Sequence, residues 1–183
     1  VTGGSGFIGS NIVNLLIKKK FRVFVIDKKK SLNHKVKFIK LDISNLKRVT
    51  KLTKNIDYIY HLAGVSDINK VKKMPNQTIK DNIILTANLL EATRINKIKR
   101  FIFASSIYAH GKSGNLYTTS KLAAENIIKN YSLLYKIKYT ILRYATAYGT
   151  NNRGVDVVSL FVKKAIKNKK INVHSNGKQT RDF

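Results

Sequence analysis

A chain of 183 residues is long enough for one well-cored domain and a little more, and 43% hydrophobic residues support a globular fold. No apolar run approaches the ~20 residues that span a bilayer, and the absence of cysteine removes disulfides, thiolate metal sites and cysteine nucleophiles, which fits a cytoplasmic setting. The net charge of +27 is spread along the whole chain, and Lys, Ile and Asn number 29, 22 and 18, as a genome rich in A and T would produce, so the charge reads as solvated surface and not as a specific nucleic-acid face.

The chain opens at Val1-Thr2-Gly3, with no initiator Met and almost no strand before a glycine-rich turn at 2–9. It stops at Arg181-Asp182-Phe183 in mid-pattern, so part of a longer protein is expected. A helix is predicted over 7–19, a strand over 21–26 ending on Asp27, a strand over 36–41, a helix over 45–54 and a strand over 58–62. Residues 69–77, which hold the only proline, Pro75, read as a loop before a long helix at 79–96. That helix shows an apolar face of Ile83, Ala87, Leu90 and Arg94, widened by Leu89. A strand at 101–104, a helix at 118–134 and a strand at 139–142 follow; after Gly149 come a loop at 150–154 and a basic helix at 155–168. Short Ile/Val/Phe/Tyr runs alternating with amphipathic helices predict an α/β fold, a doubly wound parallel sheet over 1–149, with the start of a smaller subdomain over 150–183.

Two overlapping glycine signatures occupy the first turn. Gly4, Gly6 and Gly9 fit the general dinucleotide pattern, and Gly3, Gly6 and Gly9 fit the variant with two intervening residues. Either way, glycines permit a tight turn and close approach of backbone N–H groups to a pyrophosphate at a helix start. Such turns are common, and context gives this one weight: a helix, a strand and then Asp27 follow at close to the ~20-residue spacing of a ribose-binding acid. Asp27 favours NAD over NADP, since a carboxylate repels a 2′-phosphate; Lys28 to Lys30 blunt that preference. A helix-capping or turn role for Asp27 is the rival reading.

Tyr117 and Lys121 stand four residues apart, on one face at a helix start. A phenol near its usual pKa of ~10 is a poor base at neutral pH, and a nearby Lys⁺ favours the phenolate. Ser105 and Ser106 follow a strand, at the sheet end where ligands of open α/β folds bind, and Ser106 is placed to hydrogen-bond the same substrate oxygen. Serines after strands are also ordinary turn residues.

Taken together, the motifs at 2–9, Asp27, 41–43, 61–64, 82–92, 105–111, 117–125, 143–149 and 181–183 resemble the extended short-chain dehydrogenase/reductase family, in its NAD-dependent epimerase/dehydratase branch. The resemblance implies a Rossmann-like fold. It places Gly3, Gly6, Phe7, Ile8 and Gly9 at the pyrophosphate, Asp27 at the adenosine ribose, and Asp42 with Ile43 at the adenine. It implies that Leu62, Ala63, Gly64 and Asn82 line the cofactor, that Ser106 and Tyr117 are catalytic, and that Lys121 holds the nicotinamide ribose. Thr146 and Arg181 fall where the family contacts substrate, though Ala145-Thr146 stand in place of a usual Phe-Asn. Ile107-Tyr108 after Ser106 replace the Asp-Glu of the 4,6-dehydratases, which argues against dehydration; His110 replaces a usual Tyr before Gly111, and no chemistry is assigned to His61. The resemblance therefore implies a nucleotide-sugar epimerase, at C4, with tightly bound NAD and a homodimer built through the helices of Asn82 and Tyr117. A reductase or decarboxylase of the same family is the near rival; a catalytically idle NAD- or RNA-binding protein is the distant one.

Overall fold

A computed structural model describes residues 1–29, 36–110, 115–149, 156–173, 176–178 and 180. The chain divides into two compact units, Val1–Arg143 and Tyr144–Phe183. The first contains α1 (Phe7–Lys18), β1 (Phe24–Asp27), β2 (Lys37–Lys40), α2 (Leu46–Leu52), β3 (Tyr58–His61), α3 (Ile68–Lys73), α4 (Pro75–Ile79), a π-helical turn (Lys80–Ile84), α5 (Leu85–Ile95), β4 (Arg100–Ser106), a 3₁₀ turn (Ile107–His110), α6 (Leu116–Tyr135) and all but the last residue of β5 (Tyr139–Tyr144).

Strand β1 pairs in parallel with β2, and β3 in parallel with β4, with β5 on the far side of β4. The short segment before the glycine turn joins the two halves. Thr2 bridges Ile26 on β1 and His61 on β3, both in parallel, so the order runs β2, β1, Thr2, β3, β4, β5. Thr2 donates its N–H to the Tyr60 carbonyl at 2.9 Å and accepts from Leu62 N at 3.1 Å, while Gly3 N donates to Ile26 O at 3.0 Å. From Thr2 the chain winds first to one side and then to the other, which makes the sheet doubly wound and puts the switch point of the topology at the glycine turn. What reads from the sequence as almost no strand thus occupies the centre of the sheet.

The core follows from the strand composition. Val25, Phe101 and Phe103 on the strands are fully buried, as are Val49 on α2, Leu89 and Leu90 on α5, and Ile128 on α6. Two expectations need correction. Helix α3 and the first turn of α4 occupy most of the stretch read as a loop, because Asp67 caps α3 by accepting from Asn69 N (2.9 Å) and Lys70 N (3.3 Å) and Pro75 takes the first position of α4, where its missing N–H costs nothing. The buried side of α5 is also displaced from the face read from hydrophobicity: it carries Thr86 and Thr93 with Leu85, Leu89 and Leu90, while Arg94 is exposed. Both threonines hide their hydroxyls in the helix itself, Thr86 donating to Asn82 O (2.8 Å) and Thr93 to Leu89 O (2.7 Å), so polar residues serve as core.

In the second unit, α7 (Val157–Ile166) is capped by Asp156, which accepts from Ser159 N at 2.8 Å; none of its residues is buried. Among the described residues no helix is long and apolar enough to cross a membrane, and no group of three or more His, Cys, Asp or Glu could hold a metal.

Candidate functional site

The glycine turn is shaped by what a side chain would strike. Gly3 has φ +70°, and a Cβ there would lie 2.5 Å from Ala63 N and 2.7 Å from the Leu62 carbonyl carbon, both backbone atoms that cannot move aside. A Cβ on Gly9 would overlap the Gly3 carbonyl oxygen. Gly6 is different: the nearest atom to its Cβ would be the Gly3 oxygen at 3.2 Å, so packing alone does not demand glycine there. Gly6 is the N-cap of α1, with no side-chain cap, and the first turn holds no acidic residue. The twelve-residue helix therefore presents its first N–H groups, around Phe7 and Ile8, without a carboxylate competing for them. A bare helix start behind a turn that excludes Cβ atoms fits a pyrophosphate.

Asp27 ends β1 beside this turn. Its Oδ2 accepts from Ser5 N and its Oδ1 from Lys29 N, each at 3.0 Å, and Ser5 Oγ donates to Lys29 O at 2.9 Å. The carboxylate is thus held in place by backbone donors, with lone pairs left for a ligand hydroxyl. Lys28 turns toward acids: its Nζ lies 3.4 Å from Asp81 and 3.8 Å from Asp42. Asp42 also accepts from Ser44 N at 3.0 Å, and Ile43 is buried in the hydrophobic core.

Across the sheet, Leu62, Ala63 and Gly64 leave the end of β3. A Cβ on Gly64 would meet Asn82 Oδ1 at 2.8 Å. Asn82, 2% exposed in the π-helical turn, clamps the backbone after Gly64: its Oδ1 accepts from Val65 N at 2.7 Å and its Nδ2 donates to Val65 O at 3.0 Å and to Ser120 Oγ at 2.9 Å.

Ser106 closes β4 and Tyr117 stands in the first turn of α6, whose cap Asn115 accepts from Thr118 N at 2.9 Å. Ser106 lies close enough to Tyr117 to act on its phenol, and Ser106 Oγ accepts from Tyr108 N at 3.3 Å. Burial raises the Tyr117 phenol above its ordinary 10, with Ser106 pulling the other way. The Lys121 ammonium is held beside this pair: its Nζ donates to Ala104 O at 2.8 Å and sits 4.8 Å over the Phe103 ring. Burial lowers Lys121 to about 8, with Glu125 opposing.

Glu125 is a site feature that reads from the sequence only as one more polar helix residue. It is fully buried, accepts the Ser105 hydroxyl at 2.5 Å, and takes two bonds from Arg143, Nε to Oε1 at 3.1 Å and a terminal nitrogen to Oε2 at 2.8 Å. It fixes the end of β4 from beneath. A Glu four residues after Lys121 was the available signal. Thr146 is half-buried in the second unit, and Arg181 lies outside the described residues.

The sequence matches the NAD dependent epimerase/dehydratase family over residues 1–183. It is 34% identical to a putative UDP-glucose 4-epimerase of Methanocaldococcus jannaschii, covering all of this chain and 68% of that one, and 30% identical to a UDP-glucuronic acid decarboxylase of Arabidopsis thaliana, covering 47% of it. Its fold is similar to the crystal structure of UDP-glucose 4-epimerase from Thermotoga maritima with UDP-glucose (TM-score 0.90, 28% identity, 99% of this chain and 67% of that one). It is also similar to UDP-glucuronic acid 4-epimerase from Bacillus cereus in complex with UDP-glucuronic acid and NAD (TM-score 0.86, 29% identity, 100% and 67%). The chain spans about half to two thirds of the length of these relatives.

Proposed function

This chain belongs to the NAD dependent epimerase/dehydratase family, and we propose that it is the cofactor-holding part of an NAD-dependent nucleotide-sugar epimerase acting at C4. One arrangement carries the reading: Ser106 at the end of β4 beside the Tyr117 phenol, with Lys121 buried one turn further along α6. The similarity to 4-epimerases that act on UDP-sugars supports the substrate class.

In this reading the N–H groups at the start of α1, approached across Gly3, Gly6 and Gly9 beside Phe7 and Ile8, hold the pyrophosphate. Asp27 accepts from the adenosine ribose, and Asp42 with Ile43 bounds the adenine. Because Lys28 is drawn toward Asp81 and Asp42, Asp27 sets the preference, and NAD is favoured over NADP. Leu62, Ala63, Gly64 and Asn82 line the nicotinamide side. Bound NAD supplies a hydride acceptor that returns the hydride within the same turnover. Tyr117 removes the proton from the C4 hydroxyl and later gives it back, while Ser106 hydrogen-bonds the same oxygen. Since burial keeps the proton on Tyr117 at neutral pH, the phenol needs a cation to act as base; Lys121 supplies it and holds the nicotinamide ribose. Residues 150–183 begin the substrate-binding subdomain, to which Thr146 and Arg181 contribute contacts, and the complete enzyme is a homodimer.

A decarboxylase is the second reading, favoured by the 30% identity to a UDP-glucuronic acid decarboxylase over the whole of this chain. Incubating the full-length protein with UDP-glucose or UDP-glucuronic acid and sub-stoichiometric NAD⁺ separates the two. The epimerase gives the C4 epimer with no carbon dioxide and no net reduced cofactor. Release of carbon dioxide, or stoichiometric cofactor turnover, overturns it; binding of NAD⁺ or RNA without turnover points to an idle relative.

A further inference from the structure

His61 has no part in that chemistry, yet it is wholly buried at the end of β3 with both ring nitrogens engaged: Nδ1 lies 2.8 Å from Thr2 Oγ1 and Nε2 lies 2.9 Å from Thr86 Oγ1. The protons on this line can be assigned. Thr86 has one hydroxyl hydrogen and donates it to Asn82 O at 2.8 Å, so toward His61 it only accepts and Nε2 carries the ring proton. Nδ1 then accepts from the Thr2 hydroxyl. The line continues through Asn82, whose Nδ2 donates to Ser120 Oγ, and Ser120 donates to the Tyr117 carbonyl at 2.8 Å. Thr2, His61, Asn82, Thr86 and Ser120 are all buried, so no water competes for these bonds.

We propose that His61 is a positioning residue whose ring, held as the Nε2–H tautomer, ties the strand bearing the glycine turn to the helix bearing Asn82, and through Asn82 and Ser120 sets the first turn of α6 where Tyr117 stands. One end of the line adjoins Gly3, packed on the backbone of Ala63; the other holds the backbone of the residue whose phenol meets Ser106. Two ends of the candidate site are thereby fixed relative to each other through one imidazole. The inference rests on the proposed reading that NAD lies along this line.

Three variants of the full-length protein cut the line at different points. His61→Asn keeps an acceptor near the Nδ1 position for Thr2 and loses Thr86; His61→Gln keeps a donor near the Nε2 position for Thr86 and loses Thr2; His61→Phe keeps the bulk and loses both. Each is read by NAD⁺ titration calorimetry and by hydrogen exchange of peptide amides. His61→Gln is expected to weaken NAD⁺ binding about tenfold, the size of one buried hydrogen bond, and to speed exchange around Thr2 to Gly9. His61→Asn is expected to hold NAD⁺ affinity within about twofold while exchange rises at Val65 and around Tyr117 to Lys121; His61→Phe shows both effects. Should His61→Phe fail to fold, Thr2→Val and Thr86→Val sever the same two bonds from the other side and carry the same expectations. Equal, evenly distributed changes in the Asn and Gln variants, or none, overturn the proposal and leave His61 as packing. If the unaltered protein binds no NAD⁺, the proposed function fails, while the exchange patterns still decide the role of His61.

Discussion

Around the glycine turn the chain makes room by omitting side chains, since a Cβ on Gly3 or Gly9 would enter neighbouring backbone; around Tyr117 it does the reverse and fills the interior with polar side chains, His61, Asn82, Thr86, Ser120 and Glu125, all buried. The two sides of one candidate site therefore fail differently. A backbone cradle tolerates no added atom at Gly3 or Gly9. A polar interior tolerates changes of bulk but loses stability when a partner or a proton is moved.

The sharpest break is Gly3→Ala. It combines a left-handed φ with a backbone overlap at 2.5 Å, and we expect a loss of about 3–5 kcal/mol in denaturant unfolding together with loss of NAD⁺ binding. Next is Glu125→Ala, which leaves the Ser105 hydroxyl and Arg143 without their acceptor; a loss of about 3 kcal/mol is expected by the same measurement.

The polar side also predicts a pH dependence, carried by His61. Burial, with help from Lys121, lowers His61 from 6.5 to about 3. Below pH 6.5 the unfolded chain takes up a proton that the folded ring refuses, so the stability tied to this ring is complete above 6.5 and is lost as pH falls toward 3, at about 1.4 kcal/mol per pH unit. Between pH 6.5 and about 5 that amounts to about 2 kcal/mol, and the total loss of stability over that range should be smaller by that amount in His61→Phe. The smallest effect on folding should come from Gly6→Ala, where the added Cβ meets nothing nearer than 3.2 Å. It should cost under about 1 kcal/mol yet weaken NAD⁺ binding at least tenfold in a calorimetric titration. Unchanged affinity would mean that Gly6 does not face the pyrophosphate.

The same contrast explains what the sequence reveals. Glycines at 3, 6 and 9, an acid at 27 and a Tyr/Lys pair at 117 and 121 are local patterns, and the strands are apolar runs, so the fold class is legible from the sequence, and the glycine turn stands out once the helix, strand and acid that follow it are counted. Thr86 and Thr93 hide because a threonine that bonds its own helix looks exposed by composition. His61 and Glu125 hide because their partners lie 20 to 59 residues away in the chain for Ser105 and Thr2, and no local period records such a bond. The raised Tyr117 phenol follows from burial, and the Lys121 ammonium is anchored on the Ala104 carbonyl, neither of which the four-residue spacing contains.

The central claim is tested most directly by supplying the full-length protein and its Tyr117→Phe variant with UDP-glucose and catalytic NAD⁺, and following both the C4 epimer and reduced cofactor. Conversion to the epimer with no accumulating reduced cofactor, lowered at least a hundredfold (about 2.7 kcal/mol) in Tyr117→Phe with NAD⁺ affinity kept, is the predicted result. Full activity without the Tyr117 hydroxyl, or product formed only with stoichiometric consumption of cofactor, would contradict it.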